Sequence, residues 1–583
     1  MASSPASFST SSSVASNHPP LMASPSQKSP DLLDVISPQL QHHAPSAIQF
    51  QNLTPKPDSI LSPELSNIRS NHIAPSESDD PEEELTSFNS SLTQGDNDEN
   101  ALALVESALE ESPMKRGKKQ FKQPKELIQI KARSQEEMLQ WRAMNRGVRI
   151  AYESLRHSRE IRKQGSELIL YMRPDDQRIL GAVPGVEIGD IFFYRAELSL
   201  FGLHGPTQAG IGYAPCSFVK EKEPIAISVV ASGGYEDDRE LGDELLLYTG
   251  SGGKSRKDSH VSADQSLERG NLALERSMNY GTPVRVIRGM QLAPNAYRKL
   301  YVYDGLYRVI ICRPNNSESG CRLYQFELLR IPGQCQSGSK TVRIAAETKT
   351  KLAEGTVPSG YVSPDISDKK EAITSAMKGC ECHSNCSDKC SCKDRNGGTF
   401  AYDNGVLLQG RPVVYECGNG CNCPATCSNR VSQKGLRYLL EVFKSTDTQW
   451  GVRSLHPIQA GTFICEFSGD VVLRDMVKPG SEYQTTLIDP RKFPPRWHYW
   501  GNLSAVFPEL KPAESPALEE QPGYLLDISK RKNVACYISH SEAPNAFIQF
   551  VLYPHDNVEF PRMAVFAMEN ISPLRDITLD YGW

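Results

Sequence analysis

Nine cysteines between residues 380 and 427 constrain this chain more than any other feature. They read Cys380-x-Cys382-x3-Cys386-x3-Cys390-x-Cys392, then 24 residues, then Cys417-x3-Cys421-x-Cys423-x3-Cys427. An odd count resists complete disulfide pairing. The N-terminal MASSPASFST also lacks the charged and apolar regions of a secretory leader, so the thiols are expected to bind metal rather than pair with each other. Thiolate-bound zinc is tetrahedral, so three ions have twelve ligand positions. Nine sulfurs meet that number when three of them each bridge two ions. Closed all-sulfur sites leave no open position for a reacting water, so the expected role is structural. The segment is expected to need its metal in order to fold.

A length of 583 residues suggests three or four domains. The net charge of −6 gives no global electrostatic case for nucleic acid, and any such case must rest on a local surface. No apolar run approaches the ~18 residues of a membrane span. Residues 1–112 are rich in Ser, Pro, Asn, Gln and acidic side chains, with an acidic run at 76–84. Such a segment cannot bury enough apolar surface to offset chain entropy and is expected to be disordered. Residues 113–174 form a basic linker and a helix. Lys115, Arg116, Lys118 and Lys119 suit a nuclear-import signal, or simply a solvated linker. Ser134 and Glu137 make a capping box. Met138, Trp141, Met144, Val148, Tyr152 and Leu155 then recur at helical spacing to about Lys163, predicting an apolar stripe packed on the next domain.

Residues 175–333 alternate strand-like runs (DIFFYRAELSL, PIAISVVAS, ELLLYTG, VRVIRG, YVYDGLYRVI, LYQFELLRI) with Gly-rich turns, predicting a curved or barrel-like sheet. Five ordered motifs lie within it: GDIFFYR (189–195), GLHGPTQAGI (202–211), SGGYEDD (232–238), YTGSGG (248–253) and YDGLY (303–307). The set closely resembles the SRA (YDG) domain, which implies binding of 5-methylcytosine flipped out of a duplex. A flipped base needs π faces and a polar group for its Watson–Crick edge. Tyr235 and Tyr248 can supply the stack. Asp237 or Asp238 can accept from the exocyclic amine, and the choice between them stays open. Gly233 and Gly234 allow close backbone approach. Gln208 lies on the loop that, in the family, enters the gap left by the base. Gly212 departs from relatives that often carry Asp there, a change expected to bear on strand preference.

After a linker (334–372), the cysteine segment (373–434) resembles the three-zinc cluster of pre-SET domains, and 435–583 resembles a SET domain. The motifs LEVFKS, QWGVRS, GTFICEFSGD, ISHSEAPN and ITLDY follow the family order. Trp450, Gly451 and His540 match S-adenosylmethionine-site positions, and Tyr581 matches the catalytic tyrosine. The departures fall on working positions. Gln449 replaces a turn glycine, Phe467 a channel tyrosine, Ser539 a cofactor-binding Asn, Glu542 a zinc Cys, and Leu579 a channel aromatic. No Cys follows Cys536, so the post-SET zinc ligands are expected to be missing. A shortened gene model is the alternative, but it leaves Ser539, Glu542 and Leu579 unexplained. Trp497 and Trp500 are expected to mark either a partner surface or local core.

The order SRA, pre-SET, SET resembles the plant suppressor-of-variegation homologue family, in its degenerate subgroup. The fold class expected is a multidomain, β-rich α+β chain. The resemblance implies a nuclear reader of methylated DNA that recruits a chromatin-remodelling and RNA polymerase V silencing complex. It also implies three structural zinc ions, no use of S-adenosylmethionine, and possible contact with histone H3. The competing reading is an S-adenosylmethionine-dependent methyltransferase acting on lysine 9 of histone H3.

Overall fold

The computed structural model describes residues 128–129, 134–157 and 179–582, apart from 207, 220–221, 234–238, 242–243, 255–260, 292–298, 318, 355–378, 388, 445–449, 478–485, 502–521 and 554. The 1–112 tail, the basic cluster and residues 355–372 lie outside the described residues, while the first part of the expected 334–372 linker is instead a helix, Gly338–Ala353. Among the described residues no helix is long and apolar enough to cross a membrane.

The first helix, α1 (Gln135–His157), starts where the capping signal places it. The Glu137 N–H donates to Ser134 Oγ at 3.2 Å. Its buried face follows the expected apolar stripe only in part: Val148 is buried and Tyr152 packs on the same first-half cluster. Met144 is 51% exposed, while Arg142, Arg149 and Glu153 are buried beside Val148, Ile150 and Ala151. The reason is periodic. Arg142, Arg146 and Arg149 also recur every three or four residues, and each meets a carboxylate from another segment. Buried charge is tolerated when it is paired in this way.

Eight strands form the first large sheet. They are β1 (Ile191–Phe192), β2 (Ile211–Ala214), β3 (Ile225–Ala231), β4 (Arg239–Leu241), β5 (Leu245–Thr249), β6 (Val284–Gln291), β7 (Lys299–Asn316) and β8 (Arg322–Arg330), in the order β2-β3-β6-β7-β8-β5-β4, with β1 on β7. The DIFFYRAELSL run is not one strand as expected. β1 gives way to helix α2 (Arg195–Leu200), whose Glu197, Leu198 and Leu200 are buried. Ala, Glu and Leu favour a helix, and Glu197 gains Arg149 at 2.8 Å. Helix α3 (Arg269–Tyr280) lies in the crossover between β3 and β6, which pair in parallel. The long strand β7 bends at Gly305, whose φ of +111° suits glycine. Beside it, Asp304 is wholly buried and pairs with Arg288. Asp304 also accepts from the Ser339 N–H at 2.7 Å and the Ser339 hydroxyl at 2.9 Å. The central YDG aspartate thereby fastens helix α4 (Gly338–Ala353) to the sheet.

Besides a two-stranded pair (Tyr402–Asp403 with Val406–Leu407), the described residues of the C-terminal half hold three smaller sheets. The first contains β9 (Val414–Tyr415), β12 (Phe463–Glu466), β17 (Ala546–Leu552) and β18 (Arg562–Ala567). The second contains β10 (Leu440–Lys444), β11 (Trp450–Ser454), β16 (Ser539–His540) and β19 (Asp576–Leu579). The third contains β13 (Asp470–Leu473), β14 (Leu487–Ile488) and β15 (Tyr524–Asp527). β16 runs parallel to β19, setting His540 opposite Leu579. Trp500 settles into local core, 2% exposed, and its indole N–H donates to the Leu407 carbonyl at 2.7 Å.

Helix α1 sits between the two halves. Val148 and Ala151 join the cluster of Phe192 and Phe201, while Ile150 joins that of Phe547 and Phe566. Arg142 pairs with Asp190 of the first half and with Glu569 of the second, the latter at 3.0 Å. Arg146 reaches Glu569 at 3.1 Å, and Arg575 reaches Asp190 at 3.1 Å. Burial alone would raise the Glu569 carboxyl, but Arg142, Arg146 and Arg575 outweigh it and hold the group down at about 2.

Candidate functional site

The cysteine segment gathers its sulfurs into one cluster. Eight cysteines are buried, and Cys382 is half-buried at its edge. The sulfurs form three overlapping groups of four, each within 4.8 Å: Cys380, Cys392, Cys417 and Cys421; Cys380, Cys386, Cys417 and Cys423; and Cys380, Cys382, Cys386 and Cys390. Cys427 lies in the same cluster, fully buried. Cys380, Cys386 and Cys417 are the sulfurs shared between groups. These thiols lie this close together and none is paired in a disulfide, a donor set that fits zinc.

In the first sheet, Tyr248 is 5% exposed within the cluster of Ile211, Tyr307 and Phe326. Its hydroxyl lies so close to Gly210 that a Cβ there would stand 2.5 Å from it. Gly233 is exposed with φ +63°, and Lys299 donates to the neighbouring Ser232 carbonyl. Gly234, Tyr235, Asp237 and Asp238 lie outside the described residues. Gln208 is exposed, and its carbonyl accepts from Arg195 at 3.4 Å.

In the SET region the side chains around the tail motif pack on one another. Phe467, Phe493 and Tyr581 form an aromatic triangle with centroids 5.9, 6.3 and 5.2 Å apart. The Tyr581 hydroxyl donates to the Ile538 carbonyl at 2.8 Å, and burial pushes its phenol well above the ordinary range. Leu579 is 1% exposed. Arg496 pairs with Asp580 and donates to the Glu542 carbonyl at 3.1 Å. A side chain on Gly582 would collide with the Lys492 carbonyl. The stretch from Lys492 to Arg496 thus lies over the tail motif. Sequence reasoning missed Phe493 and Arg496. The available signal was an aromatic flanked by prolines and arginines, RKFPPR, in a region without family motifs.

Among the residues expected to face a cofactor, Trp450 is 46% exposed and meets Tyr537 edge-on at 6.3 Å. Gly451 has no room for a Cβ, which would stand 2.8 Å from Phe443 and 3.0 Å from Asp576 Oδ1. Ser539 donates to Asp576 Oδ2 at 2.9 Å. His540 is exposed, with Nδ1 3.3 Å from the Tyr581 N–H. The fold therefore brings Trp450, Gly451, His540 and Tyr581 into one neighbourhood.

These features define a protein built from three known modules. The SAD/SRA domain family matches residues 179–334, the Pre-SET motif residues 336–430 and the SET domain residues 449–582. A relative in Arabidopsis thaliana, "Histone-lysine N-methyltransferase family member SUVH2", is 42% identical over 516 residues, covering 79% of this chain and 78% of the relative. The crystal structure of SUVH9 matches with a TM-score of 0.67 at 38% identity, covering 77% of this chain and all of that one. A structure of KRYPTONITE in complex with mCHH DNA, an H3(1–15) peptide and SAH matches with a TM-score of 0.58 at 30% identity, covering 77% and 93%. The chain belongs to the SUVH family.

Proposed function

We propose that this chain reads methylated cytosine in nuclear DNA and recruits gene-silencing machinery of the RNA polymerase V type, with a SET domain that carries out no methyl transfer. On this reading Tyr235 and Tyr248 stack the flipped base, Asp237 or Asp238 reads its edge, and Gly233, Gly234 and Gln208 complete the DNA contact. A solved relative that holds methylated DNA supports the first part.

The observation that carries the second part is the state of Tyr581. A lysine methyltransferase must orient and deprotonate an amine within a tyrosine-lined channel. Here the phenol is committed to the Ile538 carbonyl and packed against Phe493, and the second channel position is Phe467. Three zinc ions, with Cys380, Cys386 and Cys417 as bridges, would hold the pre-SET segment in shape, and their role is structural.

The second reading is S-adenosylmethionine-dependent methylation of histone H3 lysine 9. It is favoured by the convergence of Trp450, Gly451, His540 and Tyr581. Calorimetric titration of the full chain with S-adenosylmethionine, and with methylated and unmethylated duplexes, separates the two. Methyl-selective DNA binding without cofactor binding is the expected result. Micromolar cofactor binding would favour the enzyme.

A further inference from the structure

The Gln208 loop is held from beneath by two residues that no motif assigns a role. His204 is 1% exposed. Its Nε2 lies 2.7 Å from the Ala209 carbonyl, and its Nδ1 lies 2.9 Å from Ser228 Oγ on β3. Burial holds its pKa down at about 4, so the ring is neutral and carries one proton. A carbonyl can only accept, so that proton sits on Nε2 and the Ser228 hydroxyl donates to Nδ1. Arg195 Nη2 donates to the same Ala209 carbonyl at 2.6 Å and to the Gln208 carbonyl at 3.4 Å. Two donors therefore converge on one peptide, and one of them is charged.

The next residue, Gly210, accepts from the Val230 N–H at 2.8 Å and lies against the Tyr248 hydroxyl. Beyond it, Gly212 makes the arrangement sterically possible. A Cβ there would stand 2.5 Å from Ser228 Oγ and 3.1 Å from His204 Nδ1. The departure from Asp at this position thus leaves room for a serine–histidine–backbone relay. Gln208 itself stays exposed above these anchors.

We propose that His204 and Arg195 are the positioning residues of the DNA-inserting loop, fixing the Gln208–Ala209 backbone so that Gln208 can enter the gap left by a flipped base. Gly212 is the residue that permits the His204 anchor. This rests on the methylated-DNA reading above. Pre-ordering the loop removes an entropy cost that would otherwise fall at binding.

The test measures binding of a methylated duplex and its unmethylated control to the full-length protein. Arg195→Gln alters a half-buried side chain and spares the core; His204→Leu keeps the volume and removes both polar contacts. Each is expected to weaken methylated-duplex binding about tenfold, the size of one charge-assisted or buried hydrogen bond. Arg195→Lys restores part of the loss. The deciding readout is a double-mutant cycle with Gln208→Ala. If the anchors act through Gln208, neither variant costs much more once Gln208 is alanine. Fully additive losses, or a lowered melting temperature with unchanged DNA affinity, would reduce both residues to ordinary core and overturn the inference. Failure of the parent protein to prefer the methylated duplex would instead overturn the reading on which it rests.

Discussion

The SRA sheet and the SET sheets treat their sites in opposite ways. In the SRA half, polar groups hold the candidate loop from below. His204 and Arg195 bind its backbone, and Gln208 is left exposed. In the SET half, apolar groups surround the tail tyrosine. Phe493 lies against Tyr581 and Phe467, and Arg496 ties the covering stretch to Asp580. Hydrogen bonds to backbone fix a loop without consuming the surface it presents. Aromatic rings instead satisfy one another by contact. The same chain thus leaves Gln208 at the surface of one half and packs Tyr581 against Phe467 and Phe493 in the other.

Metal removal tests the contrast most severely. Structural zinc sites contribute on the order of 10 kcal/mol to folding, comparable with the whole stability of a domain. Chelation, or Cys417→Ser at a shared sulfur, is expected to abolish cooperative melting of the pre-SET and SET halves. Methylated-duplex binding should persist, because no cluster cysteine lies in the SRA sheet. A melting curve unmoved by chelator would show that the thiols are not a zinc site.

The next largest effect is expected at the joint between the halves. Glu569→Ala strips buried Arg142 and half-buried Arg146 of their shared carboxylate, although Arg142 keeps Asp190, at a cost of about 3 kcal/mol. Denaturant melts should show lowered stability, and α1 should lose protection in hydrogen exchange. Normal protection would mean that apolar contacts alone join the halves.

A pH titration sharpens the account of the SRA side. His204 has a folded pKa of about 4, below its free value of 6.5. The unfolded chain therefore takes up its proton first as pH falls. Stability from this residue is complete above about 6.5, declines toward 4 and levels off below, a loss of about 3 kcal/mol. His204→Leu should flatten that part of the stability profile, and an unchanged slope would place the titration elsewhere.

The smallest effect is the most local. Tyr235→Ala is expected to weaken methylated-duplex binding by about 1–3 kcal/mol, the value of one base–aromatic stack, with no change in melting temperature. Equal loss on both duplexes would mean a general DNA contact rather than a reader.

Much of the architecture was legible in the sequence because its signals are local. The Gly-punctuated β runs at 225–231, 245–249 and 322–330 became strands. The cysteine spacing became a single buried cluster. Two local signals misled. RAELSL was absorbed into a strand reading because it continues an apolar run, although its own propensity is helical. On α1 the apolar pattern takes in Met144, which is exposed, and leaves out Arg142 and Arg149, which are buried. Charged residues on a helix are ordinarily solvated, and nothing near them in sequence announces a partner such as Glu569.

The sequence by itself determined the modules, their order and the gathering of the nine clustered cysteines, since these follow from periodicity, turn chemistry and sulfur spacing. Only the tertiary structure decided which charges are buried, which nitrogen of His204 carries the proton, and whether Tyr581 has a free phenol. Each depends on groups brought together from distant parts of the chain. Desolvation makes their pairing decisive, and desolvation is a property of packing.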